Sequence, residues 1–449
     1  MVIALRMLSA LLTFVVVGSA QNTEEYRVYT EQPRLLLLPQ RLRLLKRERD
    51  RQSMRWEQFH ALMSGHAQMP EPGFAASLFY AVTGDADSAK QAITWAATAT
   101  DLRQVALVFD WCRPAMSAAE SKAIAARLIR GVAALSGKSD LINLRDRAMA
   151  AIAVADVDPA ATEAAMKDVI QNGWRKGAAQ RLQNGADLPA GDTMFALFEL
   201  LHVVRESLTV DLRVDIPGWF KELPPLHLLS HYPSPYPAPE NEYWVAAYDA
   251  EKAPDLRVAA LSRAAELAMV AYDNNAVNSQ FLQGWLMQDR FLMRSAFGIT
   301  YEYFWANPYQ PGLSYSHFPL AHHDPKSGGL FVRSSWESDA QWFGRVGKEW
   351  QLFQNGKITA LNVRKSRDPI VIGETGVYFA REPVRFEVKG VTRAYILGLA
   401  PNNRYDVEVD DEEMREETSD GAGTLEIDFA AEASTGIRVR ASTTWPETN

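Results

Sequence analysis

The chain has 449 residues, 47% of them hydrophobic and 23% charged, which is room for two or three domains, each with a full core. A formal net charge of -8 and a pI near 5.6 exclude a general electrostatic case for nucleic-acid binding, which needs a basic face or stripe. Any anion recognised by this chain must be met by local positive charge. The single cysteine, Cys112, excludes an intramolecular disulfide and a cysteine-based metal cage; its setting at a helix end, "VFDWCRP", predicts a buried structural thiol.

At the N-terminus, Arg6 precedes the apolar run "MLSALLTFVVV", and Gly18 and Ala20 follow where a signal peptidase reads small residues. The run is shorter than the roughly 20 apolar residues of a spanning helix. The expectation is a signal peptide over 1–20, cleaved after Ala20, and a periplasmic or secreted mature chain free of the membrane.

From about Leu38 to Trp305 the periodicity is helical. "LPQRLRLLKRERDRQSMRWEQFHALM" sets Leu42, Leu45, Trp56 and Phe59 on one apolar stripe. "ASLFYAVTGDADSAKQAITWA" reads as a greasy helix, a Gly/Asp turn and a helix capped by Asp87 or Ser88. "AMAAIAVADVDPAATEAAMKDVI" repeats the arrangement with Asp158 as N-cap and Pro159 in the first turn, and "TMFALFELLHVVRESLTVDLR" begins it again. Recurring pairs of one greasy and one mixed helix predict an α/α toroid of helical hairpins, with the greasy helices inside.

Past "FWANPYQPGLSYSHF" the period changes to two, in short runs such as "LFVRSSW", "VRFEVKG", "RAYILGL" and "TGIRVRAS" separated by turn residues. Asn355-Gly356 has hairpin-turn chemistry. The prediction is a multidomain α and β chain: a toroid domain over 21–312, then a C-terminal antiparallel β-sandwich over 313–449. The acidic block "VDDEEMREETSDGAG" reads as a solvated loop.

At the junction, "PLAHHDPKSGGLFVRSSW" reads as a β-hairpin. Adjacent strand residues point to opposite faces, so His322 and His323 do not converge on one ion, although one of them can face a cleft, and Arg333 continues the second strand. No metal site and no cofactor is expected. The loops "HYPSPYPAPENEYW" and "YEYFWANPYQPGLSYSH" cluster Tyr232, Tyr236, Trp305 and Tyr309, whose flat faces suit sugar rings, with Asn307, Tyr315 and His317 as hydrogen-bonding groups. Packing between the domains explains the same residues equally well. No nucleophile elbow, P-loop, dinucleotide fingerprint or His-Glu-x-x-His motif is present.

Taken together, "PRLLLLPQRLRLLKRE" at the mature start, the Ala-rich hairpins, "NLRDRAMAAIAVA" and then "GGLFVRSSWESDAQWFG" resemble the heparinase II/III-like polysaccharide lyases over nearly the whole mature chain. The resemblance implies β-elimination on an acidic, uronic-acid-containing polysaccharide or oligosaccharide: a base removes the proton α to the carboxylate, and an acid protonates the departing oxygen. It places Asn143, at an inner-helix start, at the carboxylate; an N-cap role explains Asn143 as well. Relatives carry a histidine after the asparagine where this chain has Leu144, and Arg145 can supply charge nearby. Where relatives present a catalytic tyrosine this chain has Met194 and Phe195, and no histidine follows His323. Two readings stand: a lyase whose acid and base sit among Tyr232, Tyr236, Tyr315 and His317, or an inactive glycan-binding or accessory protein on the same fold. Tyr232, Tyr236, Trp305, Asn307, Tyr309, His322 and Arg333 are the expected substrate-binding set, and Asn143, Arg145, Tyr315 and His317 the expected catalytic one.

Overall fold

The computed structural model describes residues 25–185, 189–235, 246–247, 256–288, 295–363, 365–381, 384–430, 432 and 434–442. The expected signal segment and Tyr236 lie outside the described residues. The N-terminal part is helical and the C-terminal part consists of β-sheets that are antiparallel but for one strand pair. Among the described residues no helix is long and apolar enough to cross a membrane.

The helices are α1 (Pro39–Asp50), α2 (Met54–Ser64), α3 (Pro72–Thr83), α4 (Ala86–Ala96), α5 (Leu102–Trp111), α6 (Ala118–Ala134), α7 (Leu141–Ala153) and α8 (Pro159–Asp168). A wide π-helical stretch, Val169–Ala178, links α8 to α9 (Ala179–Gln183), followed by α10 (Gly191–Leu208), α11 (Pro217–Leu229), α12 (Leu256–Tyr272), α13 (Val277–Gln288) and α14 (Ala296–Trp305). Short polar side chains start many of them: Asp101, Asp140, Asp158 and Ser295 each accept a backbone N–H of the first turn, satisfying a donor that helix geometry leaves over. The α4 cap is Asp85, two residues before the expected Asp87, because Asp85 is the residue still extended when the helix begins.

Greasy and mixed helices alternate as the composition requires. Helix α5 is buried from Arg103 to Trp111, whereas α6 buries only Ile124, Ala125 and Leu128. The buried helices touch in succession, α3 on α5, α5 on α7, α7 on α10, α10 on α12 and α12 on α14; α14 then returns to α2. Helices α10, α12 and α14 run in the same direction. Arg257 at the start of α12 lies over Phe297 at the start of α14, while late in the helices His202 Nε2 contacts the Ala268 carbonyl at 3.0 Å and Trp305 packs on His202. The N-terminal turns of these three helices therefore share one end of the helical part.

Thirteen described strands form three sheets. The first is a meander of β1 (Ala321–Asp324), β2 (Gly329–Arg333), β3 (Trp342–Val346), β4 (Glu349–Gln354) and β5 (Lys357–Leu361). The second contains β6 (Ile370–Ile372), β7 (Thr375–Phe379), β9 (Arg393–Leu397) and β12 (Thr424–Asp428); the third contains β8 (Val384–Val388), β10 (Arg404–Val409), β11 (Glu413–Thr418) and β13 (Thr435–Ala441). Strands β7 and β9 pair in parallel, so the sheets are not antiparallel throughout.

Alternating side chains make the second sheet a middle layer. From β9, Tyr395 and Leu397 join the apolar cluster of Leu330, Val332 and Phe343 on the first sheet, while Ala394 and Ile396 join Val407, Ile437 and Val439 on the third. The opposite face of the first sheet, through Phe331, Trp342 and Phe353, packs on Leu229 and Tyr232 at the end of α11. Instead of two sheets face to face, three are stacked against the helical part. That is why β7 is buried along its whole length.

The Asn355-Gly356 turn joins β4 to β5, both residues having positive φ, as a tight hairpin demands. The acidic block differs from its expected state: Glu413–Thr418 forms β11, paired to β10 through a turn at Asp410 and Asp411. Its charges suit a sheet edge, where they discourage pairing with a second chain. Cys112 is fully buried, its thiol pushed up to about 12 by desolvation.

Candidate functional site

The first cluster is built on the starts of α5 and α7 and the middle of α10. Asp140 caps α7, accepting the Asn143 N–H at 3.0 Å on one oxygen and the Asn143 side-chain amide at 2.6 Å on the other. Asn143 is thus capped rather than capping, and its amide is held by Asp140. Arg145 donates to Asp146 at 2.8 Å and to Glu199 of α10 at 3.0 Å. Glu199 is fully buried and also receives Arg103, whose Nε and Nη2 reach it at 2.7 Å each. Arg103 extends to Glu71 at 3.1 Å, and Glu71 accepts the Tyr301 hydroxyl at 2.7 Å. Both guanidinium charges here are spent on carboxylates of the chain itself. Burial pushes the Asp146 carboxyl up, against the pull of Arg145.

The second cluster is where the chain passes from helices to sheets. A short 3-10 turn, Tyr315–His317, leads into β1. The Tyr315 hydroxyl donates to Gln288 at 2.7 Å, and its ring meets Trp336 edge-on at 5.5 Å. Trp336 in turn carries the Arg333 guanidinium over its ring at 4.7 Å. Arg333 is 4% exposed, and its Nε donates to the Ser335 carbonyl at 3.2 Å. No carboxylate pairs with it among the described residues. Burial lowers its pKa to about 10. It lines a cavity of about 530 Å³ together with Ser334, Glu374, Thr375, Thr392, Arg393 and Asp428. Arg393 is neutralised by Asp428 at 2.6 Å and Glu426 at 3.1 Å, so the lining holds Arg333 and Glu374 as charges with no ion pair between them among the described residues.

The hairpin β1–β2 separates its two histidines as strand geometry requires. His323 points inward, its Nε2 2.5 Å from Asp420 and its ring beside Tyr395. His322 faces α11, 3.8 Å from Glu222, with its pKa lowered by burial. The hairpin turn rests on the helical part, where Lys326 donates to the Gln183 carbonyl at 2.7 Å.

Several expected binding residues do not reach either cluster. Trp305 is 3% exposed, packed between His202 and the Arg41 guanidinium, so it offers no face to a sugar. Asn307 and Tyr309 follow the C-terminal end of α14, away from Asn143. There the Asn307 side chain accepts the Tyr309 N–H at 3.1 Å, and the Tyr309 hydroxyl donates to Glu48 at 2.7 Å under Arg47. Tyr232 is buried, stacked on Phe353 and donating to Gln351 at 2.8 Å; it joins the two parts of the chain. His317 is exposed, its ring beside Phe281. No hydrogen bond or ion pair among the described residues links Asn143 or Arg145 to Tyr315 or His317.

One group was missed. His227 in the last turn of α11, His231 just beyond it and Glu266 of α12 meet in the interior, their ligating atoms all within 4.8 Å of one another. The i, i+4 spacing of the two histidines within "LHLLSHY" was the available signal, since that interval puts side chains on one helix face.

No family model and no curated protein matches the chain. A solved structure titled "Glycoside hydrolase" is similar over 83% of this chain and 71% of its own, at 8% identity and a TM-score of 0.29, a likeness that defines neither a fold family nor an activity.

Proposed function

We propose that this chain is an exported glycan-binding protein on an α/α toroid with stacked β-sheets, related in plan to the heparinase II/III-like lyases, that holds a uronic-acid residue by its carboxylate at Arg333. The helical domain is 21–312 and the sheet domain 313–449, after a signal segment over 1–20. The observation that carries the reading is Arg333: a nearly buried guanidinium, without a carboxylate partner among the described residues, lining a cavity of about 530 Å³. An unpaired buried charge is expensive, and a planar guanidinium matches a carboxylate ligand in two-pronged geometry. The cavity volume falls within the range of small-ligand sites.

Binding without cleavage is favoured because the groups expected to do chemistry are apart or already engaged. Arg145 is neutralised by Glu199 and Asp146, and the Asn143 amide by Asp140. The test is calorimetric titration with oligosaccharides of heparan, chondroitin, alginate, pectin and ulvan, with ultraviolet absorbance followed for unsaturated uronate. Saturable binding to at least one uronate-containing oligosaccharide, with flat absorbance, is expected. No binding to any of them removes the proposal.

An active lyase is the second reading, favoured by the Tyr315 ring lying against the tryptophan that carries Arg333. There Arg333 would neutralise the carboxylate and Tyr315 would serve as base. Growing ultraviolet absorbance, abolished in Tyr315→Phe, would select it.

A further inference from the structure

The cluster of His227, His231 and Glu266 differs from the Arg103, Arg145 and Glu199 network described above. Arg103, Arg145 and Glu199 balance charge against charge, whereas here two imidazoles face one carboxylate oxygen. His227 Nε2 lies 2.9 Å from Glu266 Oε1, and His231 Nε2 lies 3.4 Å from the same oxygen. All three side chains are at most 2% exposed.

The hydrogen bonding of His231 determines which of its nitrogens is bare. Its Nδ1 is 2.9 Å from the His227 backbone carbonyl, and a carbonyl only accepts, so Nδ1 carries the hydrogen. In the neutral ring Nε2 then presents a lone pair, and it makes no hydrogen bond among the described residues. That lone pair lies 3.4 Å from a carboxylate oxygen, an arrangement of two acceptors that a cation between them, or a proton on Nε2, would satisfy. The second oxygen, Glu266 Oε2, is also buried without a hydrogen bond, with Arg263 at 3.5 Å. Orphaned buried polar atoms on two different residues are a strong departure from the usual pairing of interior groups.

Two of the three spacings are near those of metal coordination, and the third, between the two histidines, lies within 4.8 Å. Ligands about 2.0–2.1 Å from a tetrahedral zinc ion are about 3.3 Å from each other, close to the 2.9 and 3.4 Å separations found here. Two imidazoles and one carboxylate form a known three-residue zinc set, leaving a fourth position for water or a ligand. The Nδ1–H bond of His231 to a carbonyl is the outer support that orients a metal-bound imidazole. Arg263 beside Oε2 leaves Oε1 as the single coordinating oxygen.

We propose that His227, His231 and Glu266 bind one divalent transition-metal ion of the zinc class where the end of α11 meets the first sheet. The location gives the ion a mechanical role. Leu229 and Tyr232, which flank His231, pack on Phe331, Trp342 and Phe353, so an ion tying α11 to α12 also stiffens the platform on which the sheets rest.

The test uses tag-free full-length protein, stripped with a strong chelator, dialysed against Zn²⁺ and assayed by elemental analysis. One equivalent per chain is expected for the natural sequence, with a higher unfolding midpoint that returns to its stripped value on chelation. His231→Ala and His227→Ala are expected to retain less than a tenth of an equivalent. If those variants do not fold, Co²⁺ loaded into the natural protein gives the answer through the visible absorption of tetrahedral nitrogen and oxygen ligation. Uptake below a tenth of an equivalent by the stripped natural protein, octahedral-type weak Co²⁺ absorption, or one equivalent retained in folded histidine variants would each overturn the proposal and leave a purely hydrogen-bonded histidine–glutamate network.

Discussion

Glu199 receives Arg103 through two guanidinium nitrogens and Arg145 through a third, with no exposure of its own to solvent. A carboxylate so placed neutralises parts of two helices, α5 and α7, from a third, α10. Glu199→Ala leaves two guanidinium groups without their buried partner and is expected to destabilise the protein by about 3–5 kcal/mol. Arg145→Met removes only the outer member and is expected to have a much smaller effect. Urea unfolding of both variants measures the contrast; equal effects would contradict the central role of Glu199.

Arg333 predicts an opposite sign for stability and binding. Arg333→Met removes a buried charge that no carboxylate pairs with among the described residues, so the unfolding free energy is expected to stay level or rise by up to about 1 kcal/mol. The same change removes a charge-assisted bond to a uronate carboxylate, about 1.5–3 kcal/mol, or about 10–100-fold in affinity. Thermal unfolding and calorimetric titration of one preparation test both halves. A destabilised variant with unchanged binding would assign Arg333 to structure.

Asp110 supplies a pH dependence. It is buried and accepts the backbone N–H groups of Arg34 and Leu35 at 2.8 and 2.9 Å, yet burial outweighs these bonds and raises its pKa from 3.8 to about 6. The folded state therefore binds this proton more tightly than the unfolded chain. Its stabilising contribution is complete below about pH 4 and declines as pH rises through about 6, by roughly 2–3 kcal/mol. Urea unfolding between pH 4 and pH 7 is expected to show that component in the natural protein and to lose it in Asp110→Asn. An unchanged slope in the variant would assign it to another group.

Trp342 joins the sheets to the helices, its indole N–H donating to the Leu229 carbonyl at 2.7 Å while its ring packs on Tyr232 and Phe331. Trp342→Phe keeps an aromatic ring but orphans a buried carbonyl and leaves space beside it. A loss of about 2 kcal/mol is expected. Limited proteolysis near residues 229–235 is expected to accelerate in the same variant, and an unaltered rate would place the coupling elsewhere.

Local features were legible in the chain itself because they depend on near neighbours. The change from a period of 3.6 to a period of 2 near Trp305, the Asp158 cap, the Asn355-Gly356 turn and the opposed faces of His322 and His323 all follow from backbone geometry. The buried state of Cys112 followed from its residue type and its place at a helix end. Tertiary packing alone decided which of these pieces meet. It put Trp305 in the core and Tyr232 under a sheet, although both have the composition of sugar-binding residues. It turned an acidic stretch into an edge strand because β10 offered an unpaired side. Arg103 and Glu199 are 96 positions apart and His227 and Glu266 are 39 apart; no local pattern encodes such a pairing. The residue types capable of chemistry were written in the sequence, but the charge left uncompensated at Arg333 and the convergence of two histidines on one carboxylate exist only once the helices and sheets are packed together.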